Sequence, residues 1–327
     1  MIVMKLALAA LAFLLPTVAF AQFTLGGGEA FSLSLSPQYP QPGEGVLITP
    51  QSGVLDLANS TMSVSVNGKN IYSGNPKALT VPLARVGNTT SIITSITSDG
   101  KLYSKTTSLR PGDVSLSIEP IASVPALYPG KPLIPQSGKV RIVATADLRI
   151  SPSNRIDPDT LSYTWTVDGA TVANASGVGQ NSIVIQTPLA YRKTSVSAVV
   201  QNRAGTLVGG DRLELSPQNP TVRLYVNDPL EGIVFDRALS GSYTMVGAET
   251  SLVAVPYSLS ISQGLPALQW FLNGSVAERG DTITLRPEGS GRGGATLSVT
   301  ATPTSGAENA AAELSLIFGS SNNIFGL

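Results

Sequence analysis

From residue 31 onward, short stretches alternate apolar and polar side chains with a period of two. That is the signature of strands showing one face to a core and the other to water. Residues 31–37 put Leu33 and Leu35 on one side, residues 114–120 do so with Leu116 and Ile118, and residues 222–229 with Leu224 and Val226. Each opening stretch ends on a proline, which is tolerated on an edge strand. A second apolar strand follows at 46–48, 140–144 and 252–255. A third alternating strand then runs into Asn67-Gly68, Asp168-Gly169 and Asn273-Gly274. Such dipeptides suit tight hairpins, whose two central residues need positive φ. A fourth strand is expected at 78–81, 182–185 and 282–285. Long hairpins follow, turning at Asp99-Gly100, Ala204-Gly205 and Ser305-Gly306.

The same order of elements occurs three times, about a hundred residues apart, so the chain reads as tandem repeats of one small all-β unit. Short strands separated by turn signals at these intervals predict antiparallel sandwiches. The boundaries fall at 30–112, 113–219 and 220–318, with short proline-containing joints at 110–113 and 216–220 that favour a semi-rigid rod. Residues 22–29, with three consecutive glycines, read as a flexible lead-in, and 319–327 as a polar tail with an apolar end. Residues 1–21 match a cleavable secretory signal. Lys5 precedes an apolar run over 6–15, Pro16 breaks it, and Ala19 and Ala21 are small where a signal peptidase requires it. The apolar run is short for a membrane span, and no second candidate span follows.

Trp165 and Trp270 fall on the third strand of the second and third repeats, where a sandwich buries an aromatic between its sheets. The first repeat has a small residue there, so its core is expected to be less well filled. Asp157-Pro-Asp159-Thr-Leu161-Ser-Tyr163-Thr-Trp165-Thr-Val167-Asp168-Gly169 resembles a stretch of bacterial immunoglobulin-like and PKD-like surface domains, and Leu268-Gln-Trp270-Phe-Leu-Asn273-Gly274 is a shorter echo. The resemblance implies tandem immunoglobulin-like β-sandwiches used as extracellular stalks, spacers or adhesion modules.

Composition narrows the chemistry. The 327 residues include no Cys and no His, which removes disulfides, thiol nucleophiles, Cys/His zinc sites and histidine acid–base catalysis. With 21 basic and 21 acidic residues, nothing points to nucleic acid as partner. The charge is uneven, however. Residues 30–112 hold six Lys/Arg against three Asp/Glu, and residues 220–318 hold five against nine, a polarity suited to head-to-tail self-association.

Among carboxylates, Asp157 and Asp159 sit at alternate positions and, with Asp168, supply hard oxygens of the kind calcium takes. Asp-Pro-Asp is equally an ordinary turn former. No nucleophile elbow or phosphate loop appears, and the glycine-rich stretch 289–294 reads as a loop between strands. Four Asn-x-Ser/Thr sequons, at Asn59, Asn88, Asn174 and Asn273, read as chance matches. Residues 121–136 carry Pro125, Pro129, Pro132 and Pro135. They read as a first strand crossing between the two sheets, or as a polyproline II strip for a partner. Ile324, Phe325 and Leu327 follow a polar spacer and read as a docking tag for an envelope or surface protein. The expectation is therefore an exported, non-enzymatic rod acting as a spacer, adhesion or appendage-assembly component. The alternative is a module that binds sugar or protein with loops at one end of a sandwich.

Overall fold

The computed structural model describes residues 30–319 except 127, 246, 289–291 and 307. These residues form sheets joined by turns and short 3-10 segments, with no α-helix among them and no helix long and apolar enough to cross a membrane.

The first sandwich packs a sheet of β1 (Ser32–Ser36), β2 (Gly45–Gln51) and β5 (Leu79–Pro82) on a sheet ordered β4-β3-β6-β7. These strands are β3 (Thr61–Val66), β4 (Lys69–Gly74), β6 (Thr90–Ser98) and β7 (Lys101–Leu109). The second repeats the plan. β8 (Asp113–Pro120), β9 (Lys139–Asp147) and β15 (Ser182–Gln186) face β13 (Ala170–Thr171), β12 (Ser162–Val167), β16 (Thr194–Gln201) and β17 (Val208–Leu215). A short β14 (Gly177–Val178) lies beside β12, and β10 (Arg149–Ser151) with β11 (Asn154–Arg155) makes a small separate hairpin.

In the third, β18 (Thr221–Asp228), β19 (Gly232–Ile233), β21 (Thr250–Tyr257) and β24 (Thr282–Leu285) form one sheet in the order β19-β18-β21-β24. The other is ordered β20-β26-β25-β22-β23, from β20 (Gly241–Thr244), β22 (Ala267–Leu272), β23 (Ser275–Arg279), β25 (Gly293–Thr302) and β26 (Ala310–Phe318). The chain is thus all-β, in three tandem immunoglobulin-like sandwiches. Ladders are antiparallel except β20 with β26, which run parallel.

Each sandwich closes on its own core. Trp165 and Trp270 are fully buried, and their indole N–H groups donate to Gln180 O at 2.8 Å and Gly280 O at 3.0 Å. They pair across the sheet with Ala198 and Val299, and the matching pair in the first sandwich is Val64 with Thr94. There the core also takes in Thr90, Thr94 and Ser98 from β6, and the Thr94 hydroxyl is buried without a hydrogen-bond partner.

The hairpin turns carry more than a change of direction. Asn67, Asp168 and Asn273 have φ of 49°, 48° and 48°, each followed by a glycine also at positive φ. Each side chain accepts the N–H of the residue opposite, Ser91, Ser195 or Thr296, at 2.8–2.9 Å. Each backbone N–H donates to that residue's carbonyl. The turn residue therefore ties the β3, β12 or β22 hairpin to the neighbouring long strand in all three units.

One expectation is corrected. Residues 121–136 do not cross between the sheets of the second sandwich. They reach into the third, where Ala122 bridges Ser260 in antiparallel fashion. Ser123 N–H donates to Leu259 O at 2.8 Å, Ser258 N–H to Ser123 O at 2.9 Å and Ile261 N–H to Ile121 O at 3.2 Å. The crossing between sheets occurs instead in the third sandwich, where β18 leads round to β20 against β26.

Candidate functional site

The strongest concave feature arises from a departure from simple alternation. In β21 the four residues from Leu252 to Val255 are all buried, as expected of a strand covered on both faces. Leu224, Leu252 and Ala254 belong to the core. Tyr225, Val253 and Val255 point the other way and form a second apolar cluster with Ile233, Ala238 and Tyr257. Its cover comes from two segments. The return of the chain after β18 brings Phe235 against Tyr225, edge-on with centroids 5.1 Å apart. The segment from the second sandwich brings Tyr128 edge-on to Tyr257 at 5.8 Å. The Tyr225 and Tyr257 hydroxyls are 3.0 Å apart, and burial together with that hydrogen bond pushes the Tyr257 phenol above its ordinary range.

The cover is incomplete. A cleft of about 980 Å³ remains over Val253 and Val255, walled by Val124 and Pro125 from the second sandwich and by Phe235, Leu265 and Pro266 from the third. Leu265 is 80% exposed at its mouth, and Arg279 and Asp281 lie at one end. The cleft exists because β24 is short. It pairs with β21 only from Thr250 to Val253, and Ala254 N–H makes one further bond, to Asp281 O at 2.7 Å. The next outward donor on β21 would be residue 256, which is Pro256 and has none. The cleft can take apolar groups but cannot extend this ladder.

The junction beside it is bound by a carboxylate. Glu308 is 6% exposed; one of its oxygens accepts Ser260 N–H at 3.0 Å and the other Gln136 N–H at 3.1 Å. Gln136 belongs to the second sandwich, so one buried anion holds backbone donors from both units. Gly138 lies where an added Cβ would come within 2.8 Å of the Ser260 hydroxyl, which keeps the approach close. The first junction is polar too. The Gln41 amide donates to Val114 O at 2.9 Å and Gly210 O at 3.2 Å. Gly87, at φ +82°, abuts the backbone of Ser151 and Pro152.

The carboxylates considered for calcium have separate local tasks. Asp157 caps a 3-10 turn by accepting Asp159 N–H at 3.1 Å, as Asp56 does for Ala58 N–H in the first sandwich. Asp168 is occupied by Ser195 N–H. They do not assemble into one ligand set, and among the described residues no group of three or more Asp or Glu is placed to hold a metal. The reason is physical: two are turn devices before the strand and the third lies after it, at the strand's other end. Trp165 and Trp270 sit in cores, as described. Ile324, Phe325 and Leu327, the signal segment 1–21 and the lead-in 22–29 lie outside the described residues.

The cleft and the Glu308 clamp were not found by sequence reasoning. The available signals were the four-residue apolar run in β21 and the proline-rich departure at 121–136.

No family model matches the chain, and no curated protein matches it. Among solved structures, the central fibronectin-III array of RIM-binding protein is 11% identical, covering 88% of this chain and 95% of that one, with a TM-score of 0.27. Three N-terminal domains of the bacteriophage RB49 highly immunogenic outer capsid protein are 14% identical over 88% of this chain and 99% of that one, TM-score 0.25. Fibronectin(III)-like modules of Clostridium thermocellum CbhA are 11% identical over 65% of this chain and 100% of theirs, TM-score 0.23. These neighbours are tandem domain arrays. At such scores the fold assignment rests on the sheets of the chain itself.

Proposed function

We propose that this chain is an exported, non-enzymatic cell-surface or envelope protein, a rod-like spacer, adhesion or appendage-assembly component. Its three units are taken as 30–112, 113–219 and 220–318, behind a signal at 1–21. The observation that supports the reading best is the second junction. A spacer must hold its units at a fixed angle. There, backbone pairing at Ala122–Ser260 and the Glu308 carboxylate join successive units without relying on a flexible linker. The uneven charge of the first and third units favours head-to-tail association with a second copy or an envelope partner.

Small-angle scattering tests the shape. Strands of about ten residues at ~3.4 Å each make a three-unit rod roughly 110 Å long, with a radius of gyration of roughly 32 Å. A compact chain of this length would give about 20 Å, and that value would reject the rod. Protease shaving of intact cells carrying an epitope tag within residues 26–28 tests exposure. Loss of the tag places the rod outside the cell, and protection until the envelope is opened makes it an internal spacer.

A second reading, a ligand-binding module, is favoured by the apolar cleft over Val253 and Val255. Binding of an apolar peptide that Leu265→Asp abolishes would support it.

A further inference from the structure

Six non-glycine residues among those described have positive φ. Four are the Asn or Asp of a hairpin turn, Asn67, Asp99, Asp168 and Asn273, where the residue type suits the conformation. The other two are Tyr191 and Ser258, both at 63°, and neither belongs to the residue types that take this region readily. Tyr191 carries a bulky ring there and leaves it 98% exposed. The two strained positions line two hollows beside the second junction, about 230 Å³ at Tyr191 and about 360 Å³ at Ser258, which meet at Asn219. Strain of this kind concentrates where a site is held in shape.

The floor of the larger hollow is a strand face. Thr221, Arg223 and Tyr225 stand at alternate positions on β18 and share one side of the sheet, with Tyr257 opposite Thr221 on β21. Tyr128 and Lys131 wall it from the second unit. The smaller hollow adds Tyr191 and Lys193 and is closed by Pro217. The charged residues lining the pair are thus Lys131, Lys193 and Arg223, with no Asp or Glu among the described lining residues. Lys193 is paired with Glu214 at 3.0 Å. Lys131 and Arg223 have no carboxylate partner among the described residues. Neutral donors add to them. The Asn219 side-chain oxygen accepts from the Gln136 amide, which leaves the Asn219 NH2 group for another acceptor. The bond between the Tyr225 and Tyr257 hydroxyls uses one of their two protons and leaves the other to donate.

A ligand that matches this lining is anionic, rich in acceptors, and flat and apolar on one side. A strand face presents side chains rather than a row of free backbone groups, and Pro132 and Pro217 on the walls have no N–H, so a peptide finds no ladder to join. Two unpaired cations on a chain of zero net charge are too few to follow a phosphate backbone. We propose that the two hollows form one site for an acidic polysaccharide. A uronate carboxylate lies on Arg223 and Lys131, and a neighbouring sugar ring packs on the exposed face of Tyr191. A guanidinium takes a carboxylate through two parallel N–H bonds, and tyrosine offers a flat apolar face with a polar tip. The site deepens the ligand-binding reading and rests on the second junction being fixed, because Lys131 and Tyr191 belong to one unit and Arg223 to the next.

Titration calorimetry of the purified full chain with hexagalacturonate and hexamannuronate tests it. Binding should weaken between about 0.05 M and about 0.15 M salt. Arg223→Gln and Lys131→Gln should each weaken it about tenfold and Tyr191→Ala about fivefold, with melting temperatures unchanged because all three side chains are exposed. Lys101→Gln, beside the Asp99-Gly100 turn of the first unit, removes the same charge elsewhere and should leave binding within about twofold. Maltohexaose, of the same size but uncharged, should bind at least about tenfold more weakly. The proposal is overturned if neither uronate binds, or if Arg223→Gln does no more than Lys101→Gln. Hexaglutamate or hexathymidylate binding as tightly as the uronates would also overturn it, giving the site to a peptide or a nucleic acid. Scattering on the same sample separates the two failures: a rod that binds no uronate refutes the site alone, and a compact particle that binds none refutes the fixed junction with it.

Discussion

Replacing Glu308 by alanine tests whether the second junction is held by its buried carboxylate. The side chain accepts two backbone N–H groups, Ser260 at 3.0 Å within its own unit and Gln136 at 3.1 Å from the unit before. Hydrogen bonds to a charged group contribute about 1.5–3 kcal/mol each, and truncation leaves both donors buried and unsatisfied. The expected loss is therefore about 3–5 kcal/mol, of which roughly half belongs to the contact between units. Glu308→Gln keeps the shape and one good acceptor but turns an NH2 group toward the other donor, so it should lose about 2 kcal/mol.

The chain has two tryptophans, one in each unit that meets at this junction, which makes the assay direct. Urea unfolding is followed by Trp270 fluorescence in a Trp165→Phe background, with and without the Glu308 change. At an m-value of about 2 kcal/mol/M, the alanine variant should move the midpoint of the third unit down by roughly 2 M. An alanine variant within about 0.5 kcal/mol of its parent would refute the reasoning, because neither N–H would then depend on the carboxylate. A loss confined to intrinsic stability, with Gln136 contributing nothing, would appear when the second unit's midpoint, read by Trp165 fluorescence in a Trp270→Phe background, is wholly indifferent to the change.

Trp165→Ala and Trp270→Ala should each cost about 3–5 kcal/mol, measured by calorimetry, since each empties a core and strands a carbonyl that accepts the indole N–H. Thr94→Val should instead stabilise the first unit by about 1 kcal/mol, because it replaces a buried hydroxyl that has no partner; a loss would mean an acceptor exists in solution. Gly87→Ala forces a left-handed residue to carry a Cβ 2.7 Å from the backbone of Ser151 and Pro152, and scattering should show the first junction opening. Hydrogen bonds from Arg149, with help from its charge and that of Arg155, hold the Asp147 carboxyl below its ordinary range. Its stabilisation is thus complete above the unfolded value near pH 4 and is lost as pH falls through the lower folded value. Asp147→Asn should flatten that acid limb in a melting-temperature series against pH.

What was legible in the sequence was whatever depends on neighbours along the chain. Period-two runs located the long strands, and Asn67, Asp168 and Asn273 marked the hairpins, because both signals arise from local geometry. The partner strands β4, β13 and β23 escaped notice. They are short or exposed, and Ser275–Arg279 buries nothing, so hydrophobic patterning had nothing to register. The missing tryptophan of the first unit was also legible, since Val64 stands there where the other two units have an indole. The polar compensation along β6 was not, because Thr90, Thr94 and Ser98 read as an ordinary strand face until the register shows which side they take.

The junction was hidden for a different reason. Its contacts join residues far apart in the chain, 136 positions between Ser123 and Leu259 and 172 between Gln136 and Glu308. Most of them use backbone groups, which every residue possesses and no residue type announces. A proline-rich stretch suggests a surface for a partner, and the partner here is the next unit of the same chain. The same physics explains Glu308. In sequence it is one of nine acidic residues in an acidic unit, and only the structure shows it buried and accepting one N–H from each of two units. In this chain the internal plan is carried by side chains that alternate, while the second junction is set by backbone donors and a buried acceptor. Substitutions at such acceptors should therefore alter shape before they alter folding, and a scattering profile will register Glu308→Gln more sharply than a far-UV spectrum.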